Sequence, residues 1–368
     1  MFRKVLKQIE IYNKWLILFI LKVFLRNKPQ VFPVSPQQVK KLLLLRYDVL
    51  GDMVITLPMI HYLQQYLPDT QIDILCTNRN NTLAEHTPGL KNIYLYSRKK
   101  LFFKELRPLR KEKYDMIISL VFNRTTIAGL IANYINRKAI KVHLKDSDNV
   151  ALYSILFNVL LPFENIRFKI TLLELQVRMA AMLFGVDFKY EDIKKDNLIL
   201  SNDLLTNALN LFSETSQIKI IYNISAGAEH RQFSTIKNIT ILKHLTESLS
   251  KCNFYVSCSP NDIEKAKSIV LGVDKPNCRL AIHSSNVMQS FAIIQLADFV
   301  ITPDTAFVQI ASMFNIPTII FYSTLTVLPD EWLPYRNKYT FMVTKEKTSI
   351  EELDNNEIIR SIIDFINK

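Results

Sequence analysis

The sequence predicts an α/β protein made of two doubly wound parallel-sheet halves in series, and three observations predict it. Leu42-Leu43-Leu44-Leu45 is an uninterrupted apolar run, the mark of a strand buried on both faces of a parallel sheet. Strand-type segments then alternate with helical ones, stop at a polar stretch, and alternate again. The length of 368 residues exceeds what one ordinary core fills. With 49% hydrophobic and 22% charged residues the chain is globular rather than disordered. Its cysteines (Cys76, Cys252, Cys258, Cys278) are scattered, with neither metal-type pairs nor a disulfide framework.

Taken in order, residues 1–35 form a basic amphipathic segment and a Pro-rich linker, and residues 36–197 form the first half. Its strands are expected at 41–46, 71–76, 92–96, 115–120 and 139–143. Helices are expected near 53–66, 99–111, 124–135, 149–160 and 170–184. Polar residues 186–197 read as the link. The second half, 198–345, should carry strands at 218–224, 253–257, 279–282, 298–302 and 317–322. Its helices fall at 203–213, 235–249, 261–270, 288–296 and 305–314. Within 346–368 an amphipathic helix (Ile350, Leu353, Ile358, Ile362, Phe365) is expected to pack back on the first half.

Charge is unevenly spread. Of the net +12, residues 1–46 hold +9 and residues 98–113 hold +6, leaving a body of about −3. At the N-terminus, Phe2, Val5, Leu6, Ile9, Tyr12, Leu16, Phe19, Ile20 and Val23 follow helical spacing, with Arg3, Lys4, Lys7 and Lys14 off that face. The apolar run Trp15–Leu21 is far shorter than the ~20 residues of a spanning helix. No small-residue cleavage site follows it. Residues 1–28 therefore read as a helix lying on an anionic membrane surface, with docking on the protein's own core as the alternative. No stacking motif or recognition helix points to nucleic acid.

Three loops carry candidate chemistry. After the leucine strand, Gly51 is read as the turn into a helix that opens on Asp52 and Met53. That places a carboxylate on the rim where open α/β sheets bind ligands. Glycine is scarce, six in the chain, so one at this turn argues a backbone requirement. After strand 218–224, Ser225-Ala226-Gly227 allows close backbone approach, and Arg231 suits a phosphate. After strand 298–302 comes Pro303-Asp304-Thr305-Ala306, opening the helix Phe307–Phe314; Asp304 or Thr305 would cap it, and the free N–H groups beyond suit a diphosphate. For Asp52 and Asp304 a plain N-cap is the alternative. Asp146-Ser147-Asp148 matches a short metal-binding D-x-D by letter only. The six histidines, His230 included, show no ligand spacing.

Arg46-Tyr47-Asp48-Val49-Leu50-Gly51-Asp52 followed by Thr56 and Pro58 resembles the opening signature of glycosyltransferase family 9, the heptosyltransferases of lipopolysaccharide core assembly. Asn223 to Gly227 with Arg231 resembles that family's second loop, and Thr302-Pro303-Asp304-Thr305 its third motif. The resemblance implies the GT-B fold, with two Rossmann-like domains facing across a cleft, and an inverting transferase without an obligatory metal. It implies Asp52 as general base. It implies Ser225, Ala226, Gly227, Arg231, Asp304, Thr305 and Ala306 around a nucleotide-sugar donor, commonly ADP-heptose. The second basic patch, with Lys99, Lys100, Lys104 and Arg107, together with Gly51, would meet a lipid-linked acidic glycan acceptor; a solvated helix face is the alternative. The implied location is the inner face of the cytoplasmic membrane of a Gram-negative bacterium. The chain has Phe233 where the family usually has Trp. Its third motif has Ala306 for Gly and Gln309 for His, and those two changes leave a UDP-hexose donor or a non-catalytic binding role open. For Asp52, a helix N-terminus is expected to depress the carboxyl pKa and weaken the base.

Overall fold

A computed structural model describes residues 16, 18–25, 27–97, 102–122, 125–145, 149–195, 198–212, 217–281, 286–325 and 330–368. The chain separates into two compact units, residues 1–194 and 195–368.

In the first unit six parallel strands run β1 (Lys41–Leu45), β2 (Gln71–Cys76), β3 (Leu90–Leu95), β4 (Met116–Ser119), β5 (Ile140–Leu144) and β6 (Val159–Leu161). Their spatial order is β3-β2-β1-β4-β5-β6. Leu42 pairs with Ile72 on one side and Met116 on the other, so β1 is central. Leu42 to Leu45 are fully buried, as a strand covered on both faces requires.

The second unit repeats the plan with β7 (Ile218–Asn223), β8 (Cys252–Ser257), β9 (Cys278–Leu280), β10 (Phe299–Pro303), β11 (Thr318–Tyr322) and β12 (Tyr339–Val343). Its order, β12-β11-β10-β7-β8-β9, is the same winding traced from the other edge. Both sheets reverse strand order beside their first strand, at β1/β4 and at β7/β10. That reversal is where doubly wound sheets open a crevice.

The structure departs from the sequence expectations at several points. The helix expected over 53–66 is two, α1 (Leu50–Val54) and α2 (Leu57–Tyr66). Pro58 lies at the start of α2, where its missing N–H costs nothing. Gly51 is not a turn: it sits inside α1, and the positive-φ glycines are Gly89 and Gly185. Its scarcity argument therefore fails, because an ordinary helical φ makes no special demand for glycine. A short helix α3 (Asn81–Glu85) follows β2, and α4 (Phe102–Glu112) and α5 (Thr125–Ile135) flank β4. The helix expected to reach residue 160 ends as α6 (Val150–Leu156), and β6 follows. The first unit closes with α7 (Leu172–Phe184), capped by Thr171 and ended by left-handed Gly185.

In the second unit the helices are α8 (Asn202–Leu209), α9 (Thr235–Ser248), α10 (Ile263–Val273), α11 (Val287–Gln295), α12 (Ala306–Met313) and α13 (Asn355–Ile366). Strand β12 went unread because it is half-exposed along its length and lacks a clean apolar alternation. The last helix was expected against the first half. Instead Ile358, Ile362, Phe365 and Ile366 lie in the second unit's own core with Ile220, Phe254 and Ile319.

At the N-terminus, residues 18–25 are helical and residues 1–15 lie outside the described residues. Leu25 packs against Tyr153, Leu156 and Phe157. Asn27 Nδ2 donates to Asn133 Oδ1 at 2.7 Å and to the Ile155 carbonyl at 2.9 Å. Phe19 and Phe24 are nonetheless 66% and 67% exposed. Among the described residues, no helix is long and apolar enough to cross a membrane.

Candidate active-site residues in the two units

The first rim group hangs from the end of β1. Arg46 is 1% exposed, and its Nη1 donates to Asp48 Oδ2 at 2.7 Å and lies 3.6 Å from Asp52 Oδ1. Its Nε and Nη2 are enclosed without a hydrogen-bond partner. Two other buried charges of the unit are satisfied, by contrast. Asp73 accepts from the Tyr114 hydroxyl at 2.6 Å and the Asn92 N–H at 3.1 Å. Lys141 Nζ donates to the carbonyls of Arg137 and Ala139. A buried guanidinium with idle donors is costly, and such exceptions concentrate where a protein binds something.

Asp52 is the third residue of α1, not its N-cap; Val49 caps, and its N–H hydrogen-bonds the Asp52 carboxylate. Burial comes first in its electrostatics and the Asp48 carboxylate second. Together they outweigh Arg46 and the Val49 N–H and lift the Asp52 carboxyl to about 7. This reverses the expectation of a depressed pKa, since a helix of five residues offers little dipole against desolvation. A carboxyl poised near neutrality can accept a proton from a hydroxyl at cellular pH. The Thr56 hydroxyl holds the group from below, donating to the Asp52 carbonyl at 2.7 Å and to Gln176 Oε1 of α7 at 2.9 Å.

The second basic patch is only partly described. Lys104 and Arg107 are exposed on α4 while Leu106 and Leu109 face the core. They stand on the crossover from β3 to β4, not on the β1 loop with Asp52. Lys99 and Lys100 lie outside the described residues, as does Asp146-Ser147-Asp148. No group of three or more His, Cys, Asp or Glu side chains placed to hold a metal occurs among the described residues.

The second unit's rim assembles both predicted loops. Asn223, ending β7, donates through Nδ2 to the Ser225 carbonyl at 3.1 Å, to Thr302 Oγ1 at 2.9 Å and to Thr305 Oγ1 at 3.3 Å. It thereby ties the β7 loop to the β10 loop. Arg231 Nη1 donates to the carbonyl of Asp304 at 3.2 Å and to its carboxylate at 3.0 Å, while Nε has no partner. Thr305, not Asp304, caps α12, accepting from the Phe307 N–H at 3.2 Å. Asp304 is thus left to orient the guanidinium. Gly227 is exposed, and a Cβ there would sit 3.4 Å from Arg231 Nη2. Ala306 opens α12, half-buried.

Sequence reasoning assigned no role to Asn223 and missed Asp262. The Asp262 carboxylate accepts from Ser225 Oγ at 2.5 Å and from Ser259 Oγ at 2.8 Å, fixing the β7 loop from the β8 side. The Ser-Pro-Asn-Asp run after β8 was its only signal. His230, beside Arg231, is half-buried with Nε2 enclosed and unpartnered. Phe233 is a core residue stacked edge-on against Phe321. Gln309 turns away from the loops and donates to the Trp332 carbonyl at 2.8 Å. A hollow of about 530 Å³ beside β12 has Lys345 but also Glu346, Glu352, Asp354 and Glu357 in its lining, and none of these loop residues. Its charge would repel a diphosphate.

No family model matches the chain. A Haemophilus influenzae protein provisionally named a glycosyltransferase is 26% identical over 307 residues, covering 80% of this chain and 86% of that protein. Lipopolysaccharide heptosyltransferase 3 of Escherichia coli is 32% identical over 78 residues, 19% of this chain and 23% of that protein. Among solved structures, a family 9 glycosyl transferase from Veillonella parvula superposes with a TM-score of 0.73 at 14% identity, covering 91% of this chain and 99% of that one. An E. coli heptosyltransferase bound to ADP-2-deoxy-2-fluoro heptose superposes at 0.67 with 13% identity, covering 88% and 99%. The fold is therefore GT-B, and the class that fold and relatives define is a glycosyltransferase. Within it the resemblance to family 9 holds, and the chain is heptosyltransferase-like.

Proposed function

We propose that the protein transfers a heptose or related sugar from a nucleoside-diphosphate donor to the core of a lipopolysaccharide or lipooligosaccharide, inverting the anomeric centre. The observation that carries this reading is Asp52, a rim carboxyl raised to about 7 at the switch point of the first sheet. In the reaction an acceptor hydroxyl gives its proton to Asp52 as its oxygen attacks the anomeric carbon. The bond to the diphosphate breaks, and the departing charge is met by Arg231 and the free N–H groups of α12. Asn223, Ser225, Gly227 and Asp304 shape that loop pair, and no metal is obligatory in this scheme. The donor preference for ADP-heptose is supported by the ligand of the E. coli structure. Lys99, Lys100, Lys104 and Arg107 suit an acidic, lipid-linked acceptor.

Attachment to the inner face of the cytoplasmic membrane is part of the same reading. The exposed Phe19, Ile20, Val23 and Phe24, with the basic residues of 1–28, suit an anionic bilayer. Removing residues 1–28 should release the protein from anionic vesicles.

A second reading, transfer from another donor such as a UDP-hexose, rests on Gln309, which is engaged with Trp332 where the family places His. Thermal stabilisation separates the two: a nucleotide at a hundredfold its Kd should raise the Tm by about 5 °C or more. ADP stabilising and UDP not supports the heptose donor; the reverse supports the second reading. A screen of nucleotide sugars with extracted core lipid then reads turnover. Nucleotide binding without transfer to any core lipid would leave a binding protein and end the proposal.

A further inference from the structure

Beyond β6 the chain makes a tight turn on the same rim as Asp52. Ile166 and Arg167 both donate their N–H groups to the Phe163 carbonyl, and Lys169 donates to the Ile166 carbonyl at 3.0 Å. Phe163, at the base, is buried. Phe168 is the third residue of the closing turn and has φ 68°, the left-handed conformation that such turns reserve for Gly or Asn. A bulky side chain there is strained, and it is also 55% exposed, so neither backbone nor core accounts for it.

What surrounds the ring points to a use. The Arg167 guanidinium lies between two aromatic faces, 4.9 Å from the Phe168 centroid and 5.5 Å from that of Phe122. Phe122, just beyond β4, is also 5.9 Å from the Arg46 guanidinium, the one that contacts Asp48 and Asp52. A continuous line thus runs along one rim: Asp52, Arg46, Phe122, Arg167, Phe168. An aromatic ring presented to solvent beside a planar cation matches a sugar bearing an anionic group. The C–H face of the sugar lies on the ring, and its phosphate or carboxylate pairs with the guanidinium.

We propose that Phe168, braced by Arg167, is the platform that seats a negatively charged sugar of the acceptor near Asp52. This rests on the reading of Asp52 as the acceptor-side base and adds where, and by what chemistry, the acceptor is gripped. The assignment makes Phe168 a binding residue rather than a fold residue, which fixes the direction of the tests.

The probe is deacylated, phosphorylated core oligosaccharide, titrated calorimetrically against the full-length protein. Phe168→Gly suits the turn's φ and should keep or raise the Tm. It should weaken oligosaccharide binding about tenfold, the loss expected for one aromatic contact. Phe168→Tyr should bind as the parent does. Arg167→Gln should flatten the salt dependence of binding, and in every variant ADP affinity should be unchanged. Unaltered oligosaccharide affinity in Phe168→Gly, with a parent that binds, overturns the platform alone. A parent that binds nucleotide but not the oligosaccharide overturns the core-acceptor reading and the platform with it.

Discussion

The two units share one winding and spend it on opposite chemistry. Each reverses strand order beside its first strand, at β1/β4 and at β7/β10. At the first reversal the chain sets two carboxylates around one buried arginine, and burial leaves Asp52 able to hold a proton near pH 7. At the second it sets amides, hydroxyls and a half-exposed arginine, with Asp262 and Asn223 bracing the loops from behind. In the proposed reaction one rim takes a proton and the other meets negative charge. Topology fixed where each crevice falls, and the residues just past the strand ends decided what each can do.

The comparison makes its largest prediction at Asp52. Asp52→Asn should cut transfer by about a thousandfold, the usual weight of a general base, while nucleotide affinity stays. The same variant should be the more stable protein. Because the folded carboxyl titrates near 7 and the unfolded one near 4, folding carries a penalty that develops as pH rises through that window. The gain in Tm over the parent should therefore grow from pH 4 to pH 7 and level off above. A gain largest at pH 4 would contradict a raised pKa.

A smaller effect is expected at Asp48. Its charge helps hold the Asp52 pKa up, so Asp48→Asn should move the acidic limb of the kcat/KM profile to lower pH. Movement to higher pH would contradict repulsion from Asp48 as a cause of the raised pKa. The smallest effect sharpens the other side. Gly227→Ala adds a methyl at ordinary contact distance from Arg231, so stability should change by less than about 1 kcal/mol. Nucleotide affinity should nevertheless fall, because that space is where a diphosphate would approach the guanidinium.

Much of this was legible in the chain. Four leucines and the alternation after them located β1 and both sheets, and the motif residues lie at the ends of β1, β7 and β10. What escaped depended on depth rather than order. That Asp52 is desolvated, His230 enclosed and Gln309 turned to Trp332 follows from neighbours distant along the chain. Gly51 misled because a helical glycine and a turning one are written alike. Strand β12 escaped because a half-exposed edge carries no strong pattern.

The hydroxyl of Thr56 touches both the peptide of Asp52 and the side chain of Gln176, which lies 120 residues further along the chain from Thr56. The placement of Asp52 above its sheet is in this way inherited from a distant helix. Because Gln176 is fully buried, substitution there should lower stability and loosen the support under Asp52 together.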